Sequence, residues 1–248
     1  METTSFLTKR GDLTIRGLVY GQCSPGKHAV ILSHGFLATQ KTVKDYASAL
    51  SEDGLLAVTF DFCGGGIGSS SDGKSEDMTI FTEKADLLAV IQTVQSDFQP
   101  SSVSLMGCSQ GGFVSALAAK ELGDSIHRLV LFYPALCIPD DARKGHMMFY
   151  RFDPRNVPDL LGRLPMKLGG AYARSVLEMD PFHEIAGYPG PVLLVHGTED
   201  KIVSVSYARK ALECYADCEY HEILGGGHGF TGKHDREATA YLRLFLTH

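Results

Sequence analysis

Read from the amino end, the chain first alternates and then stops alternating. Phe6 to Lys9 and Leu13 to Tyr20 interleave apolar with polar residues on either side of Arg10-Gly11-Asp12, which predicts an antiparallel hairpin closed where glycine can take a positive φ. Further on the apolar residues run together, from Ala29 to His34, Leu55 to Asp61, Val103 to Gly107, Arg128 to Tyr133 and Pro191 to Gly197. Unbroken apolar runs of this length predict strands covered on both faces. Between them the period lengthens to three and four residues. Ile80, Leu87, Leu88, Ile91, Val94 and Phe98 share a helical stripe that Lys84 alone interrupts, and Phe113, Leu117 and Leu122 continue in that style after a glycine cluster. Strands alternating with helices predict an α/β domain with a mainly parallel sheet and right-handed crossovers.

One stretch breaks the alternation. From Ala135 to Pro181 the chain holds five of its ten prolines and four of its seven methionines and no strand-like run. Structureless connectors longer than about 12–15 residues are uncommon unless functional, so this stretch is expected to be an inserted cap, 135–181, on a core formed by 1–134 and 182–248.

Composition narrows the class. The chain has 248 residues, 44% hydrophobic and 21% charged, enough to bury a core without disulfide or metal support. Its six cysteines, Cys23, Cys63, Cys108, Cys137, Cys214 and Cys218, form no CxxC pair and no zinc-site spacing, so no metal is expected. A net charge of −6 argues against a nucleic-acid partner. No run of 18 apolar residues suits a bilayer, and METTSFLTKRGD lacks the apolar centre of a signal peptide, so no membrane association and a cytoplasmic location are expected.

The strongest chemical signal is Gly107-Cys108-Ser109-Gln110-Gly111, a GxSxG at the junction of a buried strand and a helix. A nucleophile on so sharp a turn needs neighbours two residues away on each side that lack a Cβ, and Gly107 and Gly111 fill both places. A serine hydroxyl also needs a base, and the base needs a group that fixes its tautomer. His196-Gly197-Thr198-Glu199-Asp200 follows one predicted strand, and Gly225-Gly226-Gly227-His228-Gly229 follows the strand-like segment Glu219 to Leu224. Ser109, Asp200 and His228 therefore stand in the chain order of a serine hydrolase, with Glu199 competing for the acidic place. The oxyanion donors are expected to be the backbone N–H of Gln110, next after the nucleophile, and of Phe36, after Ser33-His34-Gly35. His34 is expected to be a buried scaffold residue. Cys63-Gly64-Gly65-Gly66-Ile67-Gly68 fits neither GxGxxG nor a P-loop, and is expected to be a flexible loop near the rim of the site.

These residues resemble the α/β-hydrolase superfamily over essentially the whole chain, through His34-Gly35-Phe36, Asp61 with its glycine loop, GCSQG at 107–111, HGTED at 196–200 and GGGHGF at 225–230. Within it the chain is most similar to the small intracellular bacterial feruloyl (cinnamoyl) esterases, through HGF, GxSQGG, the cap length and Leu168-Gly169-Gly170-Ala171-Tyr172. It departs at Cys63-Gly64-Gly65-Gly66, where relatives usually carry Asn or Arg followed by Gly-His-Gly. The resemblance implies a mostly parallel eight-stranded sheet with helices on both faces, a compact cap after the sixth strand, and an acyl-enzyme mechanism without cofactor. It favours Asp200 over Glu199. It also implies that Asp141, with Asp140 as a competing register, and Tyr172 reach the ring hydroxyl of a hydroxycinnamoyl group.

The expected partner is thus a small-molecule ester, in particular a hydroxycinnamate ester, with a homodimer left open. Alternatives on the same fold are a lipase-like esterase, a monoacylglycerol lipase or a serine peptidase. A non-catalytic ligand-binding protein is the alternative of a different class, against which an intact Ser109, Asp200 and His228 counts.

Overall fold

The computed structural model describes residues 3–247. Eight strands make the central sheet: β1 (Thr3–Arg10), β2 (Leu13–Tyr20), β3 (His28–Ser33), β4 (Leu56–Phe60), β5 (Ser102–Cys108), β6 (Leu129–Phe132), β7 (Val192–Gly197) and β8 (Cys218–Ile223). Their order across the sheet is β1-β2-β4-β3-β5-β6-β7-β8. The opening hairpin pairs Arg10 with Leu13 across Gly11, whose φ is 57°, and β2 runs antiparallel to β4. From β4 to β8 every pairing is parallel.

Among the described residues eight α-helices accompany the sheet: α1 (Lys44–Glu52), α2 (Ile80–Phe98), α3 (Gln110–Leu122), α4 (Ile138–Arg143), α5 (Gly170–Arg174), α6 (Pro181–Ile185), α7 (Val205–Ala211) and α8 (Gly232–Thr247). The unbroken apolar runs have a direct cause. Ile31, Val58, Leu105, Leu131 and Leu194 pack with α2 and α3 on one face, while their neighbours Leu32, Ala57, Met106, Val130 and Leu193 pack with α1 and α8 on the other. Alternate side chains leave a strand on opposite faces, so a sheet covered twice must be apolar at every position.

Helix α2 departs from its expected stripe. Lys84 is only half-buried and pairs with Glu121 at 2.6 Å, whereas the polar side chains buried in that helix are Glu83 and Asp86. Asp86 takes an ion pair from Arg10 and a hydrogen bond from the Cys63 amide. The helix starts on a reciprocal cap, Thr82 N–H donating to Thr79 Oγ1 at 3.0 Å and Thr79 N–H to Thr82 Oγ1 at 2.8 Å.

Between β6 and β7 lie α4, α5, α6 and two small antiparallel ladders, His146–Met147 with Tyr150–Arg151 and Leu160–Gly162 with Leu168–Gly169. The proline-rich stretch therefore carries short strands that no run of apolar residues announced. Among the described residues, no helix is long and apolar enough to cross a membrane.

Candidate active site

The C-terminal ends of five parallel strands, β3, β5, β6, β7 and β8, supply the site. β5 ends at Cys108, and Ser109 follows with φ 55° and ψ −120° before α3 begins. A Cβ on Gly107 would lie 2.2 Å from Gly111 O, and one on Gly111 would lie 2.3 Å from His34 O, so the turn closes only because both residues are glycine. The Ser109 N–H donates to Phe132 O, and its carbonyl accepts from Gly112, Phe113 and Ala135, which clamps the strained residue from three sides.

Asp200 sits in the turn after β7. Its Oδ1 accepts from the amides of Ile202 and Val203, each at 2.9 Å, and its Oδ2 accepts from His228 Nδ1–H at 2.8 Å. The Ser109 hydroxyl donates to the other ring nitrogen, Nε2, at 2.9 Å. Burial pushes the Asp200 carboxyl upward, but the close His196 imidazole and the hydrogen bonds from His228 and the Val203 amide outweigh it and hold the group below the usual carboxylate range. Glu199, its competitor, is exposed. His228 rides on a loop bent by Gly225 (φ 74°) and Gly229 (φ 72°). That loop locks onto the Asp200 turn where Glu199 N–H donates to Gly226 O, and where a Cβ on Gly197 would come within 2.2 Å of the same oxygen.

On the far side of Ser109, a Cβ on Gly35 would stand 3.1 Å from Ser109 Cβ, so the backbone leading into Phe36 runs close beside the serine. Among the described residues, neither Phe36 N–H nor Gln110 N–H has a protein acceptor. His34 is fully buried, donating from Nδ1 to Gly35 O at 2.8 Å and accepting at Nε2 from Phe62 N–H at 3.2 Å. It is a scaffold residue, and burial lowers its pKa.

Ser109 and His228 open onto a cavity of about 440 Å³ that Phe36, Ile138, Asp141, Met147 and Tyr172 help to wall. Asp141 lies within 3.5 Å of His146 Nε2, a second residue of that wall. Asp140 is turned outward to Tyr207 and Arg143. Tyr172 is buried, and its hydroxyl donates to Gln110 Oε1.

The glycine loop differs from expectation. A Cβ on Gly66 would fall 1.6 Å from Ala38 O, and one on Gly64 would fall 2.4 Å from Lys74 O, so the loop is packed against neighbouring backbone instead of standing loose at the rim. Its residues do not line the cavity.

Two residues with no expected role join the site. The Tyr133 ring, on a backbone with φ 38°, stands edge-on to His228 with centroids 4.8 Å apart. His196, fully buried, donates from Nε2 to Val203 O at 2.9 Å and approaches Asp200 Oδ2. Its sequence signal is its place at the head of HGTED, 196–200. Among the described residues, no cluster of three or more His, Cys, Asp or Glu could hold a metal. An imidazole oriented by a carboxylate and accepting from a strained serine can take up that serine's proton.

Residues 24–177, well over half of the chain, match the family described as serine aminopeptidase, S33. Among solved structures, Est1E from Butyrivibrio proteoclasticus with ferulic acid bound is similar with a TM-score of 0.89 and 28% identity, over 97% of this chain and 97% of that one. The Pyrococcus furiosus esterase Pf2001 shares the fold, with a TM-score of 0.72 and 18% identity over 99% and 92% of the two chains. Among curated proteins, esterase LipC of Mycobacterium tuberculosis is 26% identical over 146 residues, 52% of this chain and 34% of that protein, so the match spans about a third of that relative's length. The family match and the mostly parallel eight-stranded sheet agree: the chain belongs to the serine aminopeptidase S33 family of α/β-hydrolases.

Proposed function

We propose that the protein is a serine carboxylic ester hydrolase whose acyl substrates are hydroxycinnamoyl groups, with residues 135–181 acting as the cap over the acyl pocket. The observation that carries this reading is the hydrogen-bonded chain Ser109, His228, Asp200 opening onto a largely apolar cavity. His228 Nε2 takes the Ser109 proton as Oγ attacks the ester carbonyl, and Asp200 stabilises the imidazolium through Nδ1–H. The tetrahedral oxyanion is held by the free N–H groups of Phe36 and Gln110. His228 then protonates the leaving alcohol, and the same histidine activates the water that releases the acid.

The acyl class is supported by cavity walls that combine Phe36, Ile138 and Met147 with the polar groups of Asp141 and Tyr172. A flat aromatic acyl group suits the former, and its ring hydroxyl needs a partner such as the latter. The similarity to the ferulic-acid-bound Est1E points the same way.

The test is a panel of methyl ferulate, p-nitrophenyl acetate, a long-chain p-nitrophenyl ester and an aminoacyl p-nitroanilide, each with and without a serine-reactive phosphonate. Phosphonate-sensitive cleavage of methyl ferulate well above the long-chain ester is expected. Preference for the anilide would replace the reading by an aminopeptidase, and no turnover of any substrate would overturn it.

A further inference from the structure

Behind the elbow lies a chain of side chains that the proton transfers of ester hydrolysis do not use. Glu83 is buried in the first turn of α2, away from the cavity walls. Its Oε2 accepts from Gln110 Nε2 at 2.7 Å, and the same nitrogen lies 3.8 Å from Met78 Sδ. Gln110 Oε1 in turn accepts from the Tyr172 hydroxyl. The chain runs from the sheet-covering helix, under the residue after Ser109, to α5.

A carboxamide has one donor end and one acceptor end. With the NH₂ directed at a carboxyl oxygen and a thioether, the carbonyl is the end that meets Tyr172. A phenol has a single proton, and Tyr172 gives it to that carbonyl, so the lone pairs are all its oxygen can offer to a substrate. Asp141, in the same cavity wall, is another acceptor when ionised.

We propose that Glu83 is a specificity-determining positioning residue: by fixing the orientation of the Gln110 amide it makes the Tyr172 oxygen an acceptor, so the cavity selects acyl rings that carry a free hydroxyl over the same rings O-methylated. This rests on the hydroxycinnamate reading above. A ring hydroxyl donates to such an oxygen, whereas a methyl ether sets lone pair against lone pair and leaves a buried group unsatisfied.

The experiment compares kcat/KM for methyl p-coumarate and methyl 4-methoxycinnamate in the parent, Glu83→Leu and Glu83→Gln, with p-nitrophenyl acetate as a monitor of the elbow. The parent should prefer the hydroxylated ester by roughly 10- to 100-fold. In Glu83→Leu the amide is free to turn, and the preference should fall by about tenfold through a gain on the methoxy ester as well as a loss on the hydroxy one. Glu83→Gln still offers a carbonyl oxygen to Gln110 and should keep the preference within about threefold of the parent. An unchanged ratio in Glu83→Leu, or a parent with no preference, overturns the proposal. The parent measurement stands even if Glu83→Leu fails to fold. A parent that cleaves p-nitrophenyl acetate but neither cinnamate removes the acyl-class reading and this proposal with it. A parent that cleaves both cinnamates equally removes this proposal alone.

Discussion

His196 stands four residues ahead of Asp200 and brings its Nε2 within 3.3 Å of the carboxylate, with both side chains fully buried. The proton on that nitrogen goes to Val203 O at 2.9 Å, which ties the end of β7 to the turn carrying Asp200, itself held by the Ile202 and Val203 amides. Losing one such hydrogen bond costs about 1–2 kcal/mol. His196→Leu should therefore lower kcat/KM by roughly 5- to 30-fold with KM little changed, read by steady-state kinetics. Activity equal to the parent would leave His196 as packing only.

In the proposed mechanism Ser109 carries two separable liabilities, chemistry and backbone strain. Ser109→Ala should lose activity by several orders of magnitude while keeping the parent's fold, because only binding and oxyanion stabilisation remain. Ser109→Gly should be equally inactive yet melt higher than Ser109→Ala. A strained φ costs about 1–3 kcal/mol, and glycine's extra freedom in the unfolded chain offsets about 0.5–1 of it. The net of about 1 kcal/mol corresponds to a Tm about 2–4 °C higher, checked by paired thermal melts.

Gly111 lacks room for a methyl group, since a Cβ there would meet His34 O at 2.3 Å and Ser33 O at 2.5 Å. Both atoms belong to backbone and cannot swing aside. Gly111→Ala should cost more than about 3 kcal/mol or abolish soluble folding, measured by expression yield and denaturant melts.

Burial drives the Glu83 carboxyl well above its ordinary 4.5, against the Gln110 hydrogen bond that lowers it and with Asp86 adding to the rise. The folded protein therefore holds this proton to higher pH than the unfolded chain, and above about pH 4.5 the native state binds more protons than the unfolded one. Stability should fall as pH rises through that window, by this group's share. Glu83→Gln has no proton to lose there. Its Tm should decline less than the parent's between pH 5 and pH 8, and identical slopes would contradict the raised pKa.

The sheet was legible wherever both of its faces are covered. β3, β5 and β7 show as runs because, past the first residues of β3 and β5, every position along them is buried, and the elbow shows because two missing Cβ atoms leave a mark in the sequence at fixed spacing. Helices α1 and α8 were harder to read, since their buried residues, such as Tyr46 and Leu50 or Ala238, Leu242 and Phe245, form narrow stripes among many charges. Glu83 and Tyr133 were invisible for a different reason. Their partners Gln110 and His228 lie far along the chain, so no local pattern records the contact. The two- and three-residue strands between β6 and β7 are too short for any period to register.

The interlock of Gly197 with Gly226 ties the Asp200 turn and the His228 loop to the same margin of the sheet. β8 is an edge strand that pairs with β7 alone, and most of its side chains are only half-buried. Fraying from that edge is the least costly local opening available there, and it would carry His228 and the Asp200 turn away together while the β3–β6 centre stays intact. On warming, catalysis should therefore fail before the far-ultraviolet signal does, and amide hydrogens of β8 should exchange ahead of those of β5.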